Sequence, residues 1–154
     1  MRHFEDFYIG REFRIGEVKF TESNIKEFAS IWDPQPFHTD NEAAQNSIYG
    51  GLIASGMHTV MAVMRNFISE IVLASNCMGS PGIQGVRFHT PVYPGDVVAT
   101  QSRVESAKKL DSRPGIGAVE FSWNSQVEDR TVVTAAFTLL FAMRPHVNSG
   151  VGES

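Results

Sequence analysis

Cysteine is almost missing from this 154-residue chain, where Cys77 is the single copy. One thiol cannot form an intrachain disulfide and cannot build a cysteine cage for zinc. Charge is also scarce: 19% of residues are charged and 42% are hydrophobic, which is not the composition of a disordered chain. Cations are outnumbered, 13 Lys and Arg against 17 Asp and Glu, for a net charge of -4. Phosphate neutralisation needs clustered Lys and Arg, so no nucleic-acid partner is expected. The first six residues, Met1 to Asp6, are mixed and acidic with no apolar core of a secretory signal, and a cytoplasmic location is expected. The longest apolar run, 57–74, is interrupted by Arg65, Asn66, Ser69 and Glu70, which argues against a membrane span. No repeat and no low-complexity tract is present. At 17.0 kDa the chain has the length of one domain, expected over residues 1–145, with 146–154 as a flexible C-terminal tail.

What the sequence does contain is one long helix signal followed by strand signals. Residues 57–74 are too long for a strand and predict a helix, buried on most faces, bounded by Gly56 and Gly79. Before it, 11–19 is strand-like. Thr21 or Ser23 can cap a helix running to Trp32, with Ile25, Phe28 and Ile31 or Trp32 on one face. A short helix is expected over 41–45. After residue 80 the period changes to two, with β-branched and aromatic residues. Strands are expected at 83–89, 97–107, 118–127 and 131–143, and 108–117 reads as a polar loop. The last strand is nearly apolar and is expected to be central in the sheet. The fold class is therefore α+β: a curved antiparallel sheet wrapped around a long central helix, the hot-dog arrangement.

The chemistry concentrates in Trp32-Asp33-Pro34-Gln35-Pro36-Phe37-His38. Two prolines between Asp33 and His38 forbid a helix there and restrict the backbone to few conformers. A stiff segment of this kind can present a carboxylate and an imidazole to one water, as general acid–base work requires. Asp33 follows a helix C-terminus, whose partial negative charge is expected to raise its pKa. The same letters also fit a plain turn, since Asp-Pro commonly opens one. A metal set of Asp33, His38 and Asp40 has too few firm ligands, and no metal is expected. Further on, Gly51-Leu52-Ile53-Ala54-Ser55-Gly56-Met57 leads into the long helix. Gly56 lets a ligand carbonyl come close to a first-turn N–H, a donor suited to an oxyanion or enolate. Alternatively, Ser55 is only the helix cap. His58 reads as a packed core histidine, and His89 has no evident partner.

These residues resemble the MaoC-like, or hydratase-2, family. Its D-x-N-P-[aliphatic]-H pattern is matched by Asp33 to His38, followed by Glu42-Ala43-Ala44. Its approach to the helix is matched by Gly51 to Met57, and its R-F-x-x-P-V-x-P-G-D strand and turn by Arg87 to Asp96. The resemblance implies a hot-dog fold, a homodimer or higher even homo-oligomer, and no cofactor. It implies reversible hydration of a 2-enoyl thioester, commonly acyl-CoA, to a 3-hydroxyacyl thioester. Asp33 and His38 would activate the water and return a proton to Cα, with the Gly56 N–H polarising the thioester carbonyl. Phe37, Tyr49, Ser55, Met57 and Met64 are the expected substrate-binding residues. The chain departs from the pattern at Gln35, Phe37 and Ser55, and Met64 stands where a serine is often found. A hot-dog acyl-CoA thioesterase and a non-catalytic acyl-thioester-binding module are the alternatives.

Overall fold

The computed structural model describes residues 1–145; the tail expected at 146–154 lies outside the described residues. Five antiparallel strands form one sheet: β1 (Glu12–Lys19), β2 (Gly82–Phe88), β3 (Val97–Lys109), β4 (Ile116–Val127) and β5 (Arg130–Ala142). Their spatial order is β1-β3-β4-β5-β2. The fold is thus the hot-dog arrangement expected from the sequence. β5 is an interior strand, but the central one is β4, held between β3 and β5. The 108–117 loop is shorter than expected, because β3 runs to Lys109 and β4 begins at Ile116.

Period-two alternation decides which face is buried. On β3, Val98, Thr100, Ser102 and Val104 point inward; on β4, Val119, Phe121, Trp123 and Ser125 do. The helix α4 (Gly56–Phe67) packs on this face through Thr59, Val60, Val63 and Phe67. The Phe67 ring, fully buried, meets the edges or faces of Phe121, Trp123 and Phe137 at centroid distances of 5.2, 5.5 and 5.2 Å. These aromatic contacts fix the depth at which the helix sits in the sheet.

The long apolar run is not one helix buried on most faces. α4 gives way to a π turn at Ile68–Val72, with the Leu73 N–H donating to the Ile68 carbonyl at 2.9 Å. Met57, Met61 and Leu73 are exposed, so one stripe alone faces the sheet. The polar interruptions act as a clamp on a β-bulge. Glu70 Oε1 accepts from the Gly16 N–H at 2.8 Å, and Asn66 Nδ2 donates to the Gly16 carbonyl at 2.9 Å, where β1 slips register between Ile15 and Val18.

Helix α1 (Glu22–Trp32) begins at Thr21, whose hydroxyl accepts from the Asn24 N–H at 3.1 Å, while Asn24 Oδ1 accepts from the Thr21 N–H. Ile25 and Ala29 are its buried residues; Ile31 and Trp32 are exposed, against the expected face. The short helices α2 (Pro36–Thr39) and α3 (Asn41–Gln45) follow. The prolines did not keep the Asp33–His38 segment free of helix: Pro36 occupies the first position of α2, where its missing N–H costs nothing.

Candidate active site

Asp33 is the C-cap of α1, with its N–H donating to the Ala29 carbonyl. His38 lies on α2, one turn of helix that Pro36 starts. The Asp33–His38 separation is therefore set by one helix end, an extended Gln35 and a single following turn. It brings Asp33 Oδ2 to 3.3 Å from His38 Nε2. The imidazole is buried, and its Nδ1–H donates to the Ile53 carbonyl at 2.7 Å. That bond fixes the tautomer of the neutral ring, so Nε2 carries a lone pair toward the carboxylate. Two acceptors this close leave room for a shared proton donor, and one water has the two hydrogens to serve both.

The other carboxylate oxygen, Oδ1, accepts from Gln35 Nε2 at 2.7 Å. Gln35 also receives the His38 N–H on its backbone carbonyl at 2.9 Å, so this residue grips both members of the pair. Sequence reasoning had noted Gln35 only as a departure from a pattern. Burial raises the Asp33 pKa, but the Gln35 amide, the nearby Ser55 hydroxyl and the His38 imidazole in its protonated form outweigh it, and the net shift is downward. The direction is opposite to the one expected from the helix end: contacts that favour the anion outweigh burial.

A cavity of about 450 Å³ opens on this pair. It brings together Asp33, His38, Phe37, Tyr49, Ser55, Gly56 and Met57. Met64 is not among the lining residues; it is partly buried against the core, two turns further along α4. Ser55 is not a helix cap through its side chain, which makes no capping bond. Gly56 is packed under Phe88: a Cβ there would stand 2.4 Å from Phe88 Cε1. The far wall, from Phe88 to Val92 with Val132 and Val133, was not foreseen as site. Within it His89 has a partner after all, Nε2 lying 2.8 Å from Thr134 Oγ1.

Arg130 fastens that wall. It donates to the Pro91 carbonyl, to Thr90 Oγ1 at 3.1 Å and to Asp96 Oδ2 at 3.0 Å, while Asp96 Oδ2 also accepts from the Tyr93 N–H at 2.9 Å. The Ala54 N–H donates to the Val92 carbonyl, which ties the wall to the segment before α4. His58 faces away from this chemistry. It stacks on Phe28 at 4.6 Å and 7°, meets Phe20 edge-on at 4.8 Å, and burial lowers its pKa. Among the described residues no cluster of His, Cys, Asp and Glu has the makings of a metal site, and no helix is long and apolar enough to cross a membrane.

The MaoC-like domain pattern matches residues 6–122, and the chain belongs to that family. It is 30% identical over 124 residues to the uncharacterized protein YdeM of Bacillus subtilis, covering 80% of this chain and 88% of YdeM. A MaoC-like dehydratase from Rhodospirillum rubrum superposes with a TM-score of 0.86 at 31% identity, covering 94% of this chain and 99% of the other. A monoamine oxidase regulatory protein from Archaeoglobus superposes with a TM-score of 0.84 at 29% identity, covering 94% and 96%. Family and dehydratase likeness support hydration or dehydration as the general class of reaction.

Proposed function

We propose that this protein reversibly hydrates a 2-enoyl thioester, of the acyl-CoA type, to a 3-hydroxyacyl thioester. The observation that carries the reading is the 3.3 Å approach of Asp33 Oδ2 to His38 Nε2, with the far ring nitrogen committed to the Ile53 carbonyl. The carboxylate and the lone pair accept hydrogen bonds from the two O–H groups of one water, aiming its oxygen at Cβ. One proton passes from the water to the pair as the C–O bond forms and the C=C electrons move toward the thioester oxygen. The pair then returns one proton to Cα. The Gly56 N–H, in the first turn of α4 where donors lack intrahelical partners, serves the enolate oxygen. Phe37, Tyr49 and Met57 shape the space for the acyl group.

The same reading includes a homodimer. β2 is an edge strand whose residues are exposed apart from half-buried Val86, with Ile83 and Phe88 more than half accessible. Such an edge invites pairing with a second copy, and Phe88 belongs both to that edge and to the cavity wall.

The test is a screen of trans-2-enoyl-CoA chain lengths, following loss of the conjugated thioester absorbance. Turnover of at least one length is expected. Release of free thiol from a saturated acyl-CoA would instead identify a thioesterase, and tight binding without turnover a non-catalytic module.

A further inference from the structure

Ser55 is 1% exposed, lines the cavity, and its Oγ has no hydrogen-bond partner. It does not cap α4. A buried hydroxyl left unpaired destabilises a fold, so one that opens on a cavity calls for a ligand. The chain around it is rigidly placed. Two residues before, the Ile53 carbonyl holds His38 Nδ1; one residue before, the Ala54 N–H is bound to Val92; and the Ser55 carbonyl itself accepts from the Thr59 N–H. The Ser55 backbone is therefore held relative to the imidazole by one hydrogen bond and two residues of chain.

We propose that Ser55 Oγ is the third anchor of the reacting water, donating its hydrogen to the water oxygen. This rests on the hydratase reading above. The chemistry of the partners selects the role. Asp33 Oδ2 and the neutral His38 Nε2 are both acceptors and consume both hydrogens of the water. The water oxygen can still accept, and Ser55 is the buried donor without a partner beside it. With Ser55 bound, one lone pair remains, and the attacking direction is defined by three contacts rather than two. The hydroxyl also contributes to the low pKa of Asp33, in keeping with its place next to the carboxylate.

The test joins a crystal structure of the wild-type protein with the Ser55→Ala variant. An ordered water within about 3.2 Å of Asp33 Oδ2, His38 Nε2 and Ser55 Oγ is expected. Ser55→Ala is expected to lower kcat for enoyl-CoA hydration by about 10–100-fold with KM nearly unchanged. Its melting temperature should stay level or rise, because an unsatisfied hydroxyl has been removed. A structural serine would do the reverse, losing stability and sparing kcat. Three results overturn the assignment alone while the hydratase reading stands: wild-type kcat in the variant, a rise in KM with kcat kept, or a water on the pair that does not touch Ser55. A wild-type protein that hydrates no enoyl-CoA overturns both.

Discussion

Replacing Asp33 by asparagine changes one functional group and almost no volume, and the surrounding bonds dictate how the amide must sit. Gln35 Nε2 donates to Oδ1 at 2.7 Å, so the asparagine oxygen has to take that side; the opposite orientation would set two donors against each other. The new NH₂ then faces His38 Nε2, which in the wild type is 3.3 Å from Oδ2. It donates directly to the lone pair. Two acceptors placed to share a water become a closed donor–acceptor couple, and the proposed base is gone. Loss of a general base commonly costs ~10²–10⁴ in rate, or about 2.7–5.4 kcal/mol of transition-state stabilisation. Both new partners are satisfied, so the thermal transition should survive. The assay is the disappearance of enoyl-thioester absorbance at saturating substrate, beside a melting curve. A variant with kcat within about threefold of wild type, roughly 0.6 kcal/mol, would remove Asp33 from the chemistry. Loss of the melting transition would make it a structural residue.

Gly56→Ala places a methyl 2.4–2.9 Å from the Phe88 ring; because Phe88 is 56% exposed the ring can swing outward, so the melting temperature should change little while kcat/KM falls ~10–100-fold, and steady-state kinetics with Gly56→Ala/Phe88→Ala tells ring displacement from blockage by the methyl itself. Burial lowers the His58 pKa, so the folded state favours the neutral ring; stability from this source is complete above the unfolded histidine value and is lost as pH falls from there toward the folded one. His58→Phe keeps the stacking on Phe28 and should retain more of its stability than wild type between about pH 7 and 5, measured by urea unfolding; equal losses would contradict the shift. Phe67→Ala empties the space between Phe121, Trp123 and Phe137 and should cost about 3–5 kcal/mol in the same measurement.

Some of this protein was fixed by its letters. The period-two runs after residue 80 become β2 to β5, and the first two thirds of the apolar run after Gly56 become α4, because secondary-structure period is local in sequence. The nearness of Asp33 to His38 was likewise legible, since they are five residues apart, but the prolines misled about the backbone between them, where Pro36 starts a helical turn. What the sequence could not supply was anything set by groups distant along the chain. The direction of the Asp33 pKa shift depends on Gln35, Ser55 and His38 meeting around one carboxylate, where they outweigh its burial. Met64 falls outside the cavity because α4 turns its Val60 and Val63 face to the sheet. The tautomer of His38 is set by Ile53, fifteen residues on, and the far wall of the cavity by Arg130 gripping a turn some thirty-five to forty residues before it. Local periodicity specifies elements; hydrogen bonds and packing between elements decide which atoms face the cavity.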